Sequence, residues 1–184
     1  MDGAAIRIRG LSKAFGRNQV LRGIDLDLPA RAATVLMGAN GAGKSTLVKV
    51  LCGVHAADAG EVTLDGRPYA PASPREALRA GVVTVHQGIN DGVVPDLDVA
   101  ANLLLDRIAE GSVGVASRRR MRARARELAQ AVGLDVDLSR PVADLPLADR
   151  QLVAIARAMA HRPRLLILDE PTSSLSAAEA ERLF

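Results

Sequence analysis

The sequence predicts an α/β fold with a mostly parallel sheet, an N-terminal antiparallel β part and an inserted helical subdomain. Three observations carry that prediction. Segments near the N-terminus alternate apolar and charged residues, short apolar runs at 34–37 and 165–168 read as buried parallel strands, and helical patterns fill the stretch between. The expected division is a core of 1–87 and 162–184 around a helical subdomain at 88–161. A chain of 184 residues is the size of one domain and buries about 70% of its unfolded surface.

The elements follow in chain order. Residues 6–9 alternate apolar and basic, and 24–28 alternate apolar and acidic, so both read as half-buried strands, with Pro29 ending the second. The apolar run 34–37 leads into a glycine-rich turn and a helix over 44–51. Residues 60–66 read as a strand with a turn at each end. Ser73-Pro74-Arg75-Glu76 combines a capping box with proline at the first helical position, so a helix starts there, and 82–86 is another strand. Helices are expected at about 97–109, 117–132 and 149–161, with Ser117 capping the second and Gly133 ending it. Asp149 reads as the N-cap of the third. A strand returns at 165–168, and a second capping box starts at Ser176.

Composition excludes several classes. A net charge of +3 is too small to call for a nucleic-acid partner. The single cysteine, Cys52, rules out an internal disulfide framework and fits a reducing compartment. The N-terminal ten residues lack the apolar core of a signal peptide, and no apolar run approaches the roughly 20 residues of a membrane helix. The expectation is a soluble, cytoplasmic chain.

Residues 38–45, Gly-Ala-Asn-Gly-Ala-Gly-Lys-Ser, match G-x-x-x-x-G-K-[ST] between an expected strand and an expected helix. Glycines at that spacing let backbone N–H groups curve round phosphate oxygens, and the helix N-terminus adds its positive end. Lys44 would reach the β and γ phosphates, and the Ser45 hydroxyl would hold Mg2+. Such a match arises by chance in about one chain in a hundred of this size. The apolar strand 165–168 delivers Asp169 and Glu170 at its C-terminal end, where the first can hold Mg2+ through water and the second can polarise an attacking water.

With these motifs the chain resembles the ATP-binding cassette family over almost its whole length. The residues that carry the resemblance are 38–46, 82–87, 145–151 and 165–175. Val85-His86-Gln87, the stretch 97–102 and Ser176 are similar to a narrower group, the ATPase subunits of bacterial importers for monosaccharides and related solutes. These usually carry two cassettes in one chain. The resemblance implies a P-loop NTPase core that binds ATP and Mg2+. It implies that Gly38, Asn40, Gly41, Ala42, Gly43, Lys44, Ser45 and Thr46 hold the nucleotide, and that Ser45, Gln87 and Asp169 serve the metal. Glu170 and Gln87 become the catalytic pair, Gln87 sensing the γ-phosphate. Phe15 matches the aromatic that stacks on adenine, although a phenylalanine beside a strand is also an ordinary core residue. Gly88 stands where the family often has glutamate.

The implied partners are a second cassette (in the same full-length chain or as a homodimer), membrane permease subunits and, indirectly, a periplasmic solute-binding protein, with no nucleic acid. The implied place is the cytoplasmic face of the cell membrane. Two other functions stay open: a soluble cassette acting on ribosomes or DNA, and a non-hydrolysing regulatory domain. The lack of a long coiled-coil insertion and the Val-His-Gln segment speak against the first, and Glu170 against the second.

Two departures from the family pattern set further expectations. The family places a histidine about thirty residues or more beyond the second acid, whereas this sequence ends at Phe184, fourteen residues after Glu170. The expectation is a truncated first cassette that turns over ATP weakly on its own. The loop that in the family reads Leu-Ser-Gly-Gly-Gln is here Leu145-Pro146-Leu147-Ala148-Asp149, without the hydroxyl, with a methyl for a glycine and with an added acid. Arginines at 118, 119, 120, 122, 124 and 126 crowd one expected helix and read as a solvated face, since no aromatics interleave them. His55, His86 and His161 lack metal-ligand spacing and read as structural.

Overall fold

The computed structural model describes residues 4–86, 92–109 and 118–171, which form two compact units, Met1–Val83 and Thr84–Phe184. No helix among the described residues is long and apolar enough to cross a membrane.

The first unit is built on a four-stranded sheet in the order β2-β1-β3-β4. Strand β1 (Ala4–Phe15) pairs antiparallel with β2 (Asn18–Pro29) on one side and with β3 (Ala59–Leu64) on the other, and β4 (Arg67–Pro68) closes the edge. The alternation read from the sequence sets the faces. Ile6 and Ile8 are fully buried and stand opposite Leu64 and Val62, each contributing about 1.5–3 kcal/mol of apolar burial. Arg7 and Arg9 face out, where Arg9 grips Asp27 with two bonds of 2.7 and 2.8 Å. Helix α1 (Lys44–Leu51) packs Leu47, Val50 and Leu51 inward. Helix α2 (Pro74–Ala80) begins as expected: the Ser73 hydroxyl accepts from the Glu76 N–H at 3.3 Å. The Glu76 carboxylate reaches one residue past a standard capping box, accepting from the Ala72 N–H at 2.9 Å.

One expected strand is absent. Residues 34–37 are not in a sheet, and Val35, Leu36 and Met37 are 79%, 45% and 84% exposed. A strand exists only with ladder partners. Both edges of β1 and of β3 are already taken, and among the described residues nothing pairs with 34–37.

Strand β5 (Val82–Val85) pairs with β6 (Leu165–Leu168), and the Asp169 N–H continues their contact by donating to Val85 at 3.0 Å. The sequence suggested that β6 is buried, whereas all four of its residues are half-buried. The rest of the second unit is helical. Helix α3 (Val99–Ala109) is capped by the Asp98 carboxylate, which accepts from the Ala101 N–H at 2.7 Å. Asn102 is fully buried and pins the preceding loop, accepting from Val94 N–H and donating to the Val94, Leu97 and Asp98 carbonyls. Helix α4 (Arg118–Ala131) ends in a Schellman motif. Gly133 sits at φ +68°, its N–H bonds the Gln130 carbonyl, and the Leu134 N–H reaches Ala129.

Helix α5 (Leu147–Ala160) corrects a second expectation. It starts two residues earlier than the sequence suggested, with Pro146 rather than Asp149 at the N-cap. Pro146 at φ −55° is preset for a helix entrance, and its carbonyl receives the Arg150 N–H at 3.1 Å. Asp149 is therefore the third helical residue, and it is buried.

Candidate functional site

The phosphate loop lies in the first unit, between the exposed run 34–37 and α1. Gly41 and Gly43 hold φ of +82° and +91°, and the Ala42 N–H closes a turn on the Ala39 carbonyl at 3.1 Å. Gly43 is the N-cap of α1, and no other residue type fits it. A Cβ there would lie 2.8 Å from Leu21 Cδ2 and 3.2 Å from the Val20 carbonyl, in a backbone region that L side chains rarely adopt. Because β2 packs this tightly against Gly43, the helix entrance is fixed by the sheet. No side chain caps α1, and its first turn carries no acid, so its positive end is open to an anion. Lys44 arches back over the loop, its ammonium donating to the Gly38 and Ala39 carbonyls at 2.6 and 3.0 Å. Gly38, Asn40, Gly41, Ala42 and Ser45 are exposed, and Thr46 is half-buried.

This arrangement fits a polyphosphate with its metal. The loop presents backbone rather than side chains, the cation is held over it, and a hydroxyl stands in the first helical turn.

Phe15 belongs to the same unit. The strand register puts it opposite Asn18, two residues before Val20, whose carbonyl abuts Gly43. The Phe15 ring is 44% exposed, meets His55 edge-on at 5.1 Å and has the Lys13 ammonium 5.6 Å from its centroid. Lys13 pairs with Asp58 at 2.7 Å, and that bond, with the Ala14 N–H, holds the Asp58 carboxyl below the usual carboxylate range. Sequence reading missed His55, Lys13 and Asp58 as neighbours of Phe15. His55 is 40 residues from Phe15 along the chain, and Asp58 is 45 from its partner Lys13, so neither leaves a local signal.

Asp169 and Glu170 belong to the second unit, directly after β6. Asp169 is half-buried, and Glu170 is exposed with φ +48°, a left-handed backbone uncommon outside glycine. Gln87 lies outside the described residues, as do Gly88, Ser117 and Ser176.

The loop 145–149, also in the second unit, is shaped by a residue that sequence reading passed over. Arg150 straps it, donating to the Leu145 carbonyl at 2.9 Å and the Ala143 carbonyl at 2.6 Å. Pro146 is exposed, whereas Ala148 and Asp149 are buried.

The chain matches the family model described as ABC transporter over residues 21–173. It is 43% identical over 179 residues to ribose import ATP-binding protein RbsA 1 of Burkholderia thailandensis, and 45% identical over 179 residues to the RbsA 1 protein of Rubrobacter xylanophilus. A further relative, ribose import ATP-binding protein RbsA 2 of Escherichia coli O157:H7, is 39% identical over 180 residues. Each alignment covers 97% of this chain but only 35% of the relative, so the chain spans about a third of their length. Two solved structures share the fold at low identity. One is the ADP conformation of an ATP-binding cassette of an ABC transporter, with a TM-score of 0.84 at 24% identity, covering 97% of this chain and 73% of that one. The other is cbiO1 from Clostridium perfringens, part of the transporter complex cbiONQ, with a TM-score of 0.83 at 23% identity, covering 98% and 70%.

Proposed function

Since the chain belongs to the ABC transporter ATP-binding family, we propose that it binds and hydrolyses ATP to power import of a sugar or related small solute through a membrane permease. The observation that carries this reading is the loop 38–46: two left-handed glycines, an uncapped helix entrance and Lys44 arched over exposed backbone. The names of the relatives point to the ribose class of solute.

The residue roles are those that the family resemblance implies, together with the chemistry of each side chain. Gly38, Asn40, Gly41, Ala42, Gly43 and Thr46 cradle the phosphates through backbone N–H groups, and Lys44 exchanges its carbonyl contacts for phosphate oxygens. Phe15 offers its exposed ring to adenine. Ser45, Asp169 and Gln87 are the groups that would hold Mg2+, which when bound neutralises charge on the phosphates. Glu170 orients the attacking water, and Gln87 senses the γ-phosphate. The partners are a second cassette, permease subunits and, indirectly, a solute-binding protein, on the cytoplasmic face of the membrane. The division into a core of 1–87 and 162–184 around a helical subdomain at 88–161 belongs to the same proposal.

Calorimetry tests the site. Lys44→Ala removes a cation where several phosphate charges converge and is expected to weaken ATP binding by several kcal/mol, more than a hundredfold. Glu170→Gln is expected to keep binding and lose turnover in the assembled transporter. Unchanged ATP affinity in the Lys44 variant sinks the assignment, and co-purification with ribosomes instead of a permease sinks the importer reading.

A further inference from the structure

Helix α4 carries a charge pattern that nucleotide chemistry leaves unused. Its buried face is Ala125, Leu128 and Ala129, and outside it Arg119, Arg120, Arg122 and Arg126 are all exposed. Arg119, Arg122 and Arg126, spaced three and then four residues apart, form one stripe along the helix. The only acid on α4, Glu127, is bonded to Arg124 at 2.6 Å. Among the described residues no ion pair is formed by Arg119, Arg120, Arg122 or Arg126. Asp135 and Asp137 line a shallow pocket together with Arg122 and Arg126, and the Asp137 carboxylate is engaged by the Ser139 N–H and hydroxyl at 2.9 and 2.7 Å.

We infer that this face of α4 docks on an anionic phospholipid surface. Guanidinium groups match phosphate geometry with paired donors, and every cation on α4 is arginine. A protein partner of fixed shape calls for an apolar anchor at the centre of the contact. The exposed face offers only Ala123 between its cations. A single-stranded nucleic acid calls for stacking platforms, and α4 has no aromatic residue. A fluid layer of headgroups needs neither, because lipids rearrange around the charges. The inference rests on the reading of the chain as an importer ATPase, which places it beside a membrane.

The test is sedimentation of the chain with phosphatidylcholine vesicles and with vesicles containing phosphatidylglycerol. Binding is expected only to the second, and it should vanish at high salt. Arg119→Gln, Arg122→Gln and Arg126→Gln together should weaken the partition about a hundredfold, while the three lysine counterparts, which keep the charge without the paired donors, lose only part of it. Circular dichroism and ATP titration of the triple variant verify that fold and nucleotide site are intact, so loss of lipid binding is separable from loss of the ATPase reading. Equal binding to neutral vesicles, an unchanged partition in the triple glutamine variant, or tighter retention by duplex RNA than by anionic vesicles overturns the inference.

Discussion

Gln151 is 1% exposed, and both its amide nitrogen and its amide oxygen lack a hydrogen-bond partner among the described residues. A buried polar group left unpaired costs about 1–3 kcal/mol, whereas an apolar side chain of similar shape carries no such cost. Gln151→Leu is therefore expected to stabilise the chain by about 1–2 kcal/mol, read as a higher urea midpoint at constant slope. A lower midpoint would show that the amide is satisfied. At this scale the sequence was legible where function needs contiguous residues. Gly43 and Lys44 could be read from spacing alone, because the loop they shape is local. The surroundings of Phe15 could not, since His55 meets its ring, and Asp58 meets Lys13 beside it, only once the loop before β3 lies against β1.

Among the elements, the entrance of α5 separates this chain from its family pattern. Pro146 brings no hydroxyl and no N–H, and Asp149 sits in the first turn, where a carboxylate already complements the helix dipole. A phosphate approaching that end meets fewer donors and a neighbouring negative charge. In the assembled pair of cassettes, the ATP site completed by 145–149 is expected to turn over weakly, and the one using Lys44 and Glu170 to dominate. Restoring Ser, Gly and Gln at 146, 148 and 149 should raise turnover in the full transporter, measured as phosphate release. If the restoration alone changes nothing, and Glu170→Gln still abolishes all turnover in the restored protein, the loop was not limiting. The helix itself was visible from its period, but its first residue was not. Asp149 has the chemistry of an N-cap, and the proline three positions earlier took that place because its φ is preset. Likewise the apolar run 34–37 has the composition of a strand and lacks, among the described residues, the neighbours that would make it one.

For the molecule as a whole, acid sensitivity follows from carboxylates that folding engages. Asp106 on α3 accepts two bonds from Arg157 on α5, at 2.7 and 2.6 Å, and a third contact from His161 at 3.1 Å. Arg157 first, then His161, hold the Asp106 carboxyl below the ordinary carboxylate range. Asp27, Asp58 and Asp137 are lowered in the same direction by Arg9, by Lys13 and by the Ser139 backbone. A carboxyl depressed by folding stabilises the fold above its unfolded value of about 3.9, and that stabilisation is lost as pH falls through the lower folded value. Thermal midpoints should therefore be flat near neutrality and drop below about pH 4. In Asp106→Asn the drop should be shallower and the neutral stability about 2 kcal/mol lower, because Arg157 loses a charged partner. A pH profile identical to the parent's would show that this tie contributes nothing. The α/β class, the helices of the second unit and the glycine-rich turn that opens α1 were all legible from one dimension. The tie between α3 and α5 was not, because it joins residues 51 positions apart that no motif connects.

The exposed run before the phosphate loop has a chemical consequence of its own. Met37 is 84% exposed, while the only thiol, Cys52, is buried in the first unit. Peroxide in solution therefore meets a thioether before it meets the cysteine. Conversion to the sulfoxide turns the apolar residue that immediately precedes Gly38 into a polar, chiral one. A redox weakness of this protein thus sits one residue from the proposed phosphate cradle, and reductases that act on methionine sulfoxide, rather than thiol reductants, are what would repair it.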